Sequence, residues 1–568
     1  MKNIKVQLKL IIFFLLFLNI FNILSAKSID KFSNSKDISN YLSGIIAIND
    51  NQYQTSYDYF KSLNNLEDSH YVYSQYYLYS LVTLKKFKIA ANYSKELEKK
   101  KIDNFESNLV SGIYYLENED FAQAKTYFEK LKNKNPPDSV QNLLSITLNT
   151  WSNFNDNNDI NVALTNLESL PKRFENIKNI QKVFAYCYFD SDRTDEFFRK
   201  LTANPNINYS RYHFFHSNYL ISKEKEKQAK NVLQPAINLH PRNLILNQLK
   251  TDLDKKQKIN DQFDCKKTNH IIAEILYSIA KALSAQNKYI NSNFYLNLAK
   301  FLNPNFVTYD ILYAENFEFL KQHSKALDIY KKIKKKGSTY SWHASKRITF
   351  ILKKEEKKKK AKDYLKSSFL KIRNPKIYEI FDYAEFLKNN ELYEESIKYY
   401  SETINLIDKN HSLYGMVLDG RGIAYERTDQ WEKSEIDLLN SLSVSPDDPY
   451  VINYLAYSWI EKGINIEKSL KMLKKANQLK PNDGYIIDSL GWALFKLKKF
   501  EEAKKYLELA VILMASDPVI NDHYADALWM NNNRLQARYY WNYVSKLKKT
   551  EKKLKKKIEH KLLFGLKT

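Results

Sequence analysis

The sequence predicts an all-α protein, a right-handed superhelical solenoid of helix–turn–helix hairpins with about 14 repeats in two arcs. Small residues recur every 34 or 35 residues in the C-terminal part, at Gly422, Ala456, Gly491 and Ala525. Each is followed by another small residue 12 positions later, or 13 after Ala456, and then by further small or apolar residues. Helix-breaking residues are scarce, with 10 glycines and 12 prolines among 568 residues, as an almost wholly helical chain requires.

The stretch Asn482–Ala510 shows the repeating unit most clearly. Gly491 and Ala503 are predicted to lie where its two helices cross, because a larger side chain there would push the backbones apart. Leu507 and Ala510 are predicted to fill the space between the helices and the next unit. One hairpin cannot bury its apolar face alone, so the pattern also predicts neighbouring hairpins.

The same pattern extends through two arrays that differ in regularity. The degenerate N-terminal array, residues 38–250, has its repeat positions at Gly44, Leu78, Gly112, Trp151, Ala185 and Ser217. The well-formed C-terminal array, residues 270–545, begins with Ala280, Ala314, Thr349 and Ala384. Residues 251–269 break the period and are predicted to form an irregular junction and a candidate hinge.

The chain ends in a basic amphipathic segment, residues 546–568. Lysines alternate there with Leu547, Leu554, Ile558 and Leu562. We predict a helix that caps the last hairpin, because a terminal repeat needs a polar outer face. Binding to anionic lipid is the alternative interpretation.

Residues 1–26 have the pattern of a secretory signal peptide. Basic residues precede an apolar run that begins at Leu10, and Ser25 and Ala26 supply small residues for cleavage. No cysteine lies nearby, so the lipobox of a lipoprotein is absent. We expect export to the periplasm or the periplasmic face of the envelope. An uncleaved anchor is the alternative, although the uninterrupted apolar run is shorter than the roughly 20 residues of a spanning helix.

The formal net charge is +24, but the lysines are spread along the whole chain. We interpret them as a solvated surface, and a nucleic-acid partner is not expected. Cys187 and Cys265, the two cysteines, lie 78 positions apart with no metal or redox spacing. We predict that they are small apolar residues of two different helices and form no disulfide.

The sequence holds no familiar catalytic or phosphate-binding motif. His213 and His216 are spaced so that one helix face could present both to a metal, but no third ligand accompanies them. Paired carboxylates such as Glu501 and Glu502 fall on predicted outer faces, where no pocket encloses them. We therefore predict a protein that is not an enzyme and uses no metal or cofactor.

A binding groove is predicted on the concave side, which the first helices of the hairpins line. Three residues before the small position, the last four repeats carry Asp419, Asn453, Asp488 and Asp522. Such residues are unfavourable inside helices, and they can hydrogen-bond the main chain of an extended peptide. Nearby groove positions carry Tyr457, Trp492, Asp526 and Trp529. The alternative is that the aromatic rings pack between repeats and the acids act as caps or face solvent.

These spacings resemble the tetratricopeptide repeat (TPR) family over nearly the whole chain after the signal peptide. The region that contains Ala456, Gly491 and Ala525 looks like the C-terminal part of long bacterial envelope TPR proteins. This resemblance implies a helical scaffold, and some relatives are adaptors that dock an envelope protease. Because the lipobox cysteine of those relatives is absent here, membrane anchoring of their kind is not implied.

The sequence therefore favours a non-enzymatic scaffold or adaptor of the bacterial cell envelope. Its expected partners are other proteins or extended peptide segments, and the resemblance adds an envelope protease to the candidates, with peripheral contact to a membrane. The alternative function is a basic helical-repeat protein that binds nucleic acid or an anionic membrane surface.

Overall fold

The computed structural model describes residues 35–63, 66, 70–132, 136, 139–153, 159–204, 206–259 and 263–566. The predicted signal peptide lies outside these ranges. Within them the regular structure is helical and contains no β-strand, which confirms the all-α prediction. The number of repeats and the handedness of the superhelix stay predictions.

The helices up to the predicted junction form hairpins in chain order, and α13 follows the last hairpin as a single helix. They are α1 (Ser35–Asn49), α2 (Tyr53–Lys61), α3 (Tyr71–Thr83), α4 (Phe87–Lys99), α5 (Phe105–Glu117), α6 (Phe121–Lys130), α7 (Val140–Ser152), α8 (Ile160–Glu168), α9 (Glu175–Tyr188), α10 (Thr194–Thr202), α11 (Ser210–Ser222), α12 (Glu226–Leu239) and α13 (Leu244–Asp254).

The helices after the junction also pair in order and end in a single helix. They are α14 (Thr268–Ala285), α15 (Tyr289–Leu302), α16 (Val307–Phe319), α17 (His323–Ile333), α18 (Ser338–Lys354), α19 (Lys358–Leu370), α20 (Ile377–Lys388), α21 (Tyr393–Asn405), α22 (Tyr414–Arg427), α23 (Trp431–Val444), α24 (Pro449–Glu461), α25 (Ile466–Leu479), α26 (Gly484–Lys496), α27 (Phe500–Leu513), α28 (Pro518–Met530), α29 (Arg534–Lys546) and α30 (Lys552–Phe564).

Most hairpins turn through one residue with a positive φ angle, which closes the first helix and starts the second. In the hairpin α26–α27 this residue is Lys498, with φ of 61°. The amide of Lys499 then donates to the carbonyl of Leu494 at 2.9 Å, as in a helix C-terminal cap. Non-glycine residues such as Glu391 and Asn532 do the same in other hairpins. Most of these turns therefore left no glycine signal in the sequence, and Gly463, with φ of 70°, between α24 and α25 is an exception.

The first helices of the last repeats begin at aspartate caps. Asp448, Asp483 and Asp517 each accept two backbone N–H groups at the starts of α24, α26 and α28. Pro449 and Pro518 occupy the first helical position, where no backbone N–H is needed. These caps fix where each first helix starts.

The predicted crossing point in the hairpin α26–α27 is confirmed. A Cβ atom at Gly491 would lie 2.7 Å from Cγ of Leu507, closer than side-chain atoms approach. Ala503, Leu507 and Ala510 have no exposed surface. The absence of a side chain at Gly491 therefore lets α27 pack directly on α26.

The chain divides into two compact units, unit 1 up to Ser368 and unit 2 from Phe369. The division falls within α19, inside the predicted C-terminal array. At the predicted junction, α13 continues to Asp254 and α14 begins at Thr268, so the described non-helical residues are 255–259 and 263–267. The prediction of two arrays joined by a hinge describes the repeat pattern and stays a prediction.

In unit 1, the hairpin α14–α15 lies against first helices of the preceding repeats. Helix α15 packs on α3 and α5, and α14 packs on α7. The rings of Tyr79 and Phe294 stack at 4.3 Å, and those of Phe87 and Phe301 stack at 3.9 Å. Because first helices line the inner side of such a solenoid, later helices of unit 1 occupy the inner side of its earlier repeats.

Cys187 and Cys265 form a disulfide, so the prediction of two unpaired cysteines was wrong. Cys187 lies on α9 as predicted, but Cys265 lies in the turn before α14, with a Cα–Cα distance of 5.9 Å. Beside it, the ring of Phe263 packs 4.1 Å from Phe215 and 5.1 Å from Phe184. The return of the junction to α9 brings together residues that are far apart in sequence, and spacing alone carries no signal for such a contact.

Unit 2 consists of the later hairpins and ends in α30. Helix α30 packs on α29, where Ile558 has no exposed surface, so the predicted capping helix is present. Among the described residues, none of the helices has both the length and the apolar character needed to cross a bilayer.

Candidate binding groove

The first helices of unit 2 form the surface on which the groove was predicted. Helix α20 packs on α22, α24 on α26, and α26 on α28, while each second helix also contacts the next first helix. This arrangement places the first helices on the inner side of the array. The eight predicted groove residues all lie on α22, α24, α26 and α28.

The groove begins at Asp419 and Asn453, whose side chains are half-buried. Burial raises the pKa of Asp419 to about 6, Lys388 opposes the shift, and Asp448 and Glu385 add to it. In the described part of the chain no hydrogen bond or ion pair reaches the Asp419 carboxylate. Oδ1 of Asn453 is also buried without a hydrogen-bond partner there. The Asp419 carboxylate is therefore available to a ligand, and the buried Asn453 oxygen beside it is an unsatisfied acceptor.

Asp488 is buried and pairs with a histidine from the next first helix. Nδ1 of His523 lies 3.0 and 3.1 Å from the two carboxylate oxygens of Asp488. The Trp492 ring stacks on the imidazole at 3.9 Å, and its Nε1 donates to Glu461 at 2.7 Å. Burial alone would lower the pKa of His523, but the neighbouring carboxylates, Asp488 first, raise it overall. Asp488 and Trp492 of α26 thus join this repeat to α24 through Glu461 and to α28 through His523.

Asp522 and Asp526 bind a lysine of the capping helix. Nζ of Lys561 lies 2.7 Å from Oδ1 of Asp522 and 2.7 Å from both carboxylate oxygens of Asp526. Nε1 of Trp541 donates to Asp526 at 3.0 Å. Burial, together with the charge of Asp522, raises the pKa of Asp526 to about 6, while Lys561 opposes the shift. At this end, the chain itself occupies the predicted groove positions.

The two remaining predicted residues are aromatic. The Tyr457 ring is half-buried, and its centroid lies 6.4 Å from that of the His523 imidazole. Tyr457 lies on α24, the same helix as Asn453. Trp529 instead packs against Gly565, the residue after α30, and the guanidinium groups of Arg534 and Arg538 lie 5.3 and 5.8 Å from its ring. The structure therefore separates the predicted set into residues with partners in the chain and a free group of Asp419, Asn453 and Tyr457.

Sequence reasoning missed His523 and Lys561, which complete this network. The signal for Lys561 was present, because it follows Ile558 by three positions and so lies on the apolar side of an otherwise exposed basic helix. Asp522 and Asp526, four apart on one helix, similarly present two carboxylates on one face. His523 gave no such signal, since its partner Asp488 belongs to another repeat.

No metal chemistry is built into the described part of the chain. No group of three histidine, cysteine or carboxylate side chains is arranged there to hold an ion. His216 contacts Asp195 at 2.6 Å, while Nδ1 of His213 has no hydrogen-bond partner among the described residues. Among the groove residues and their partners, the pKa values of Asp419, His523 and Asp526, all on first helices of unit 2, are raised.

The sequence and the fold of this chain were compared with those of known proteins. No family model matches the chain. A TPR repeat-containing protein of Pseudomonas aeruginosa is 28% identical over 135 residues, 22% of this chain and 21% of that protein. The repeats of this chain are tetratricopeptide repeats. The matched TPR region spans about a fifth of the relative's length.

Solved TPR structures are similar at low identity. MamA of Desulfovibrio magneticus is 15% identical, with 32% of this chain and 99% of that chain covered and a TM-score of 0.27. PilF of Pseudomonas aeruginosa is 14% identical over 33% of this chain and 91% of that chain, with a TM-score of 0.27. The Cut9–Hcn1 hetero-tetramer of APC/C is 13% identical over 94% of this chain and 97% of that chain, with a TM-score of 0.38.

Proposed function

We propose that this TPR protein is a non-enzymatic scaffold or adaptor of the bacterial cell envelope. Its ligand is a protein or an extended peptide segment, bound on the first helices of unit 2. The supporting observation is the free group of Asp419, Asn453 and Tyr457, where a carboxylate and a buried amide oxygen lack partners in the described chain. The Asp419 carboxylate can accept hydrogen bonds from the N–H groups of a peptide main chain without reading its sequence.

Two independent features support a place in the envelope. The predicted signal peptide directs the chain out of the reducing interior of the cell. The disulfide between Cys187 and Cys265 is of the kind that persists in an oxidising compartment such as the periplasm. The resemblance to envelope adaptors is consistent with presentation of substrates to an envelope protease, and this is the first partner to look for.

The groove chemistry supports binding rather than catalysis. The buried carboxylates of Asp488, Asp522 and Asp526 already pair with His523 and Lys561. Such pairs join helices and occupy these three carboxylates within the chain. Unit 1 contributes less free surface, because α14 and α15 occupy the inner side of its earlier repeats.

Partner capture from cross-linked cell envelopes tests this proposal. The chain is purified beside a groove variant, Asp419→Asn with Asn453→Ala and Tyr457→Ala. A matched control carries Glu432→Gln, Asn440→Ala and Tyr539→Ala on exposed positions of second helices. Mass spectrometry identifies the captured proteins, and circular dichroism confirms that all three chains are folded.

A discrete envelope protein held by the native chain and the control, but lost from the groove variant, is the expected result. Equal capture by all three chains would be compatible with a scaffold function but would show that Asp419, Asn453 and Tyr457 do not form the binding site. Recovery of nucleic acid alone, released by salt, would contradict the proposed function itself.

A further inference from the structure

Helix α30 has an inner face that holds it rigidly on unit 2. Ile558 has no exposed surface, and Leu554 and Leu562 pack with it against the last hairpin. Lys561, on the same side, is held by Asp522 and Asp526. These contacts fix the rotation of α30 about its own axis, so its opposite face is presented outward in a defined orientation.

The outward face and the segment before it carry a dense positive charge. Eight exposed lysines lie within twelve residues, at Lys546, Lys548, Lys549, Lys552, Lys553, Lys555, Lys556 and Lys557. Glu551 and Glu559 are the only acidic residues between positions 546 and 568. No ion pair joins any of the eight lysines to another described residue, whereas Lys561, on the inner face, has two carboxylates. This charge is thus not used within the described chain.

Two large apolar side chains extend the same face. Leu563 is 72% exposed and Phe564 is 69% exposed. Leu563 follows Lys556 by seven residues, and Phe564 follows Lys557 by seven, so each pair lies on one side of the helix two turns apart. Apolar residues that packed on the last hairpin would be buried like Ile558. The face therefore combines unpaired ammonium groups with exposed apolar tips.

We propose that the outer face of α30 docks on an anionic phospholipid bilayer and lies in its interface. The lysines bind lipid phosphates, and Leu563 and Phe564 enter the boundary between headgroups and acyl chains. This membrane contact goes beyond the proposed scaffold function and uses none of its groove residues. It would hold the chain at a membrane surface even where the signal peptide has been removed.

Charge and apolarity together favour a bilayer over nucleic acid. Exposed Leu and Phe beside lysines match an interfacial helix, since a bilayer offers both phosphates and a hydrocarbon boundary. A phosphate backbone offers no apolar site for these two side chains. The segment from 546 to 568 also lacks arginine, the residue that binds phosphates and base edges with two hydrogen bonds.

Vesicle co-sedimentation tests the proposal with the protein as purified from cells. Vesicles contain phosphatidylglycerol and phosphatidylethanolamine, or phosphatidylcholine alone. One variant carries Lys552→Gln, Lys553→Gln, Lys556→Gln and Lys557→Gln. A control with the same net charge carries Lys335→Gln, Lys358→Gln, Lys359→Gln and Lys360→Gln, all exposed positions of unit 1. A third variant carries Leu563→Ser and Phe564→Ser, and thermal unfolding confirms that all are folded.

The native chain and the control should bind the phosphatidylglycerol vesicles, and added salt should release them. The lysine variant should bind more than about 100-fold more weakly, since each lysine near an anionic surface adds to affinity. The serine variant should bind about 10-fold more weakly. All versions share one N-terminus, so any contact through it is common to them.

Equal binding by the native chain and the lysine variant would overturn the proposal. Equal binding to phosphatidylcholine would do the same, because the interaction would then not be electrostatic. A duplex DNA fragment is the final comparison. If it binds through the same four lysines while the vesicles do not, the face is a nucleic-acid site instead.

Discussion

Buried ion pairs connect the capping helix α30 to the first helix α28 in unit 2. One ammonium group, that of Lys561, lies between the carboxylates of Asp522 and Asp526. A buried charge is tolerated only when it is paired, so each member of this cluster depends on the others.

Replacement of Lys561 by methionine should lower the free energy of unfolding of unit 2 by about 3–5 kcal/mol, because it leaves two buried carboxylates unpaired. Urea unfolding followed by circular dichroism measures the change. Lys557→Met, on the exposed face of the same helix, is the matched control and should change stability little. Equal effects of the two substitutions would show that the Lys561 pairs contribute nothing.

His523 makes the stability of unit 2 depend on pH. The folded state raises its pKa above the ordinary value of 6.5, so the charged imidazole stabilises the fold below pH 6.5, and this contribution is lost as pH rises through the folded pKa. Asp526, with a pKa raised from 3.8 to about 6, acts in the same direction between those values. The urea midpoint should therefore fall as pH is raised from 6.5, and His523→Gln should flatten this dependence. An unchanged slope in the variant would contradict the assignment.

At the scale of elements, the segment before α14 is tied to α9. The disulfide between Cys187 and Cys265 and the packing of Phe263 hold the described end of the junction in place. A cross-link over 78 residues restricts the unfolded chain strongly.

Replacement of both cysteines by serine should lower the stability of unit 1 by about 2–4 kcal/mol. Thermal unfolding with and without dithiothreitol provides the measurement. The reductant should lower the transition of the native chain and leave that of the serine variant unchanged. A native transition insensitive to full reduction, verified by thiol titration, would show that the cross-link does not stabilise unit 1.

At the scale of the whole molecule, the two units use their inner surfaces differently. In unit 1 the hairpin α14–α15 packs on α3, α5 and α7, and Arg211 of α11 binds the buried Glu274 of α14 at 2.5–2.6 Å. In unit 2 the first helices keep a free group of side chains at α22 and α24. In unit 1 the inner side of the early repeats is therefore covered by α14 and α15, whereas in unit 2 some groove side chains stay unpaired.

The contact between α15 and α3 should contribute strongly to unit 1. Phe294→Ala removes a buried ring that stacks on Tyr79 and should cost about 3–5 kcal/mol. Hydrogen exchange should then rise in α3, more than 200 residues away in sequence. Phe319→Ala, at a ring that is 62% exposed, is the control and should leave α3 protected. Unchanged exchange in both variants would mean that the two elements are not coupled.

The sequence alone determined the hairpins, their period and the capping helix. Gly491 and Ala503 mark a helix crossing, and the apolar stripe around Ile558 marks the cap, because both signals act between residues adjacent on a helix or in a hairpin. The tertiary structure alone decided the disulfide, the placement of α14 and α15, and the pairing of Asp488 with His523. Such contacts depend on the path of the solenoid, which accumulates small rotations between repeats that no local pattern records.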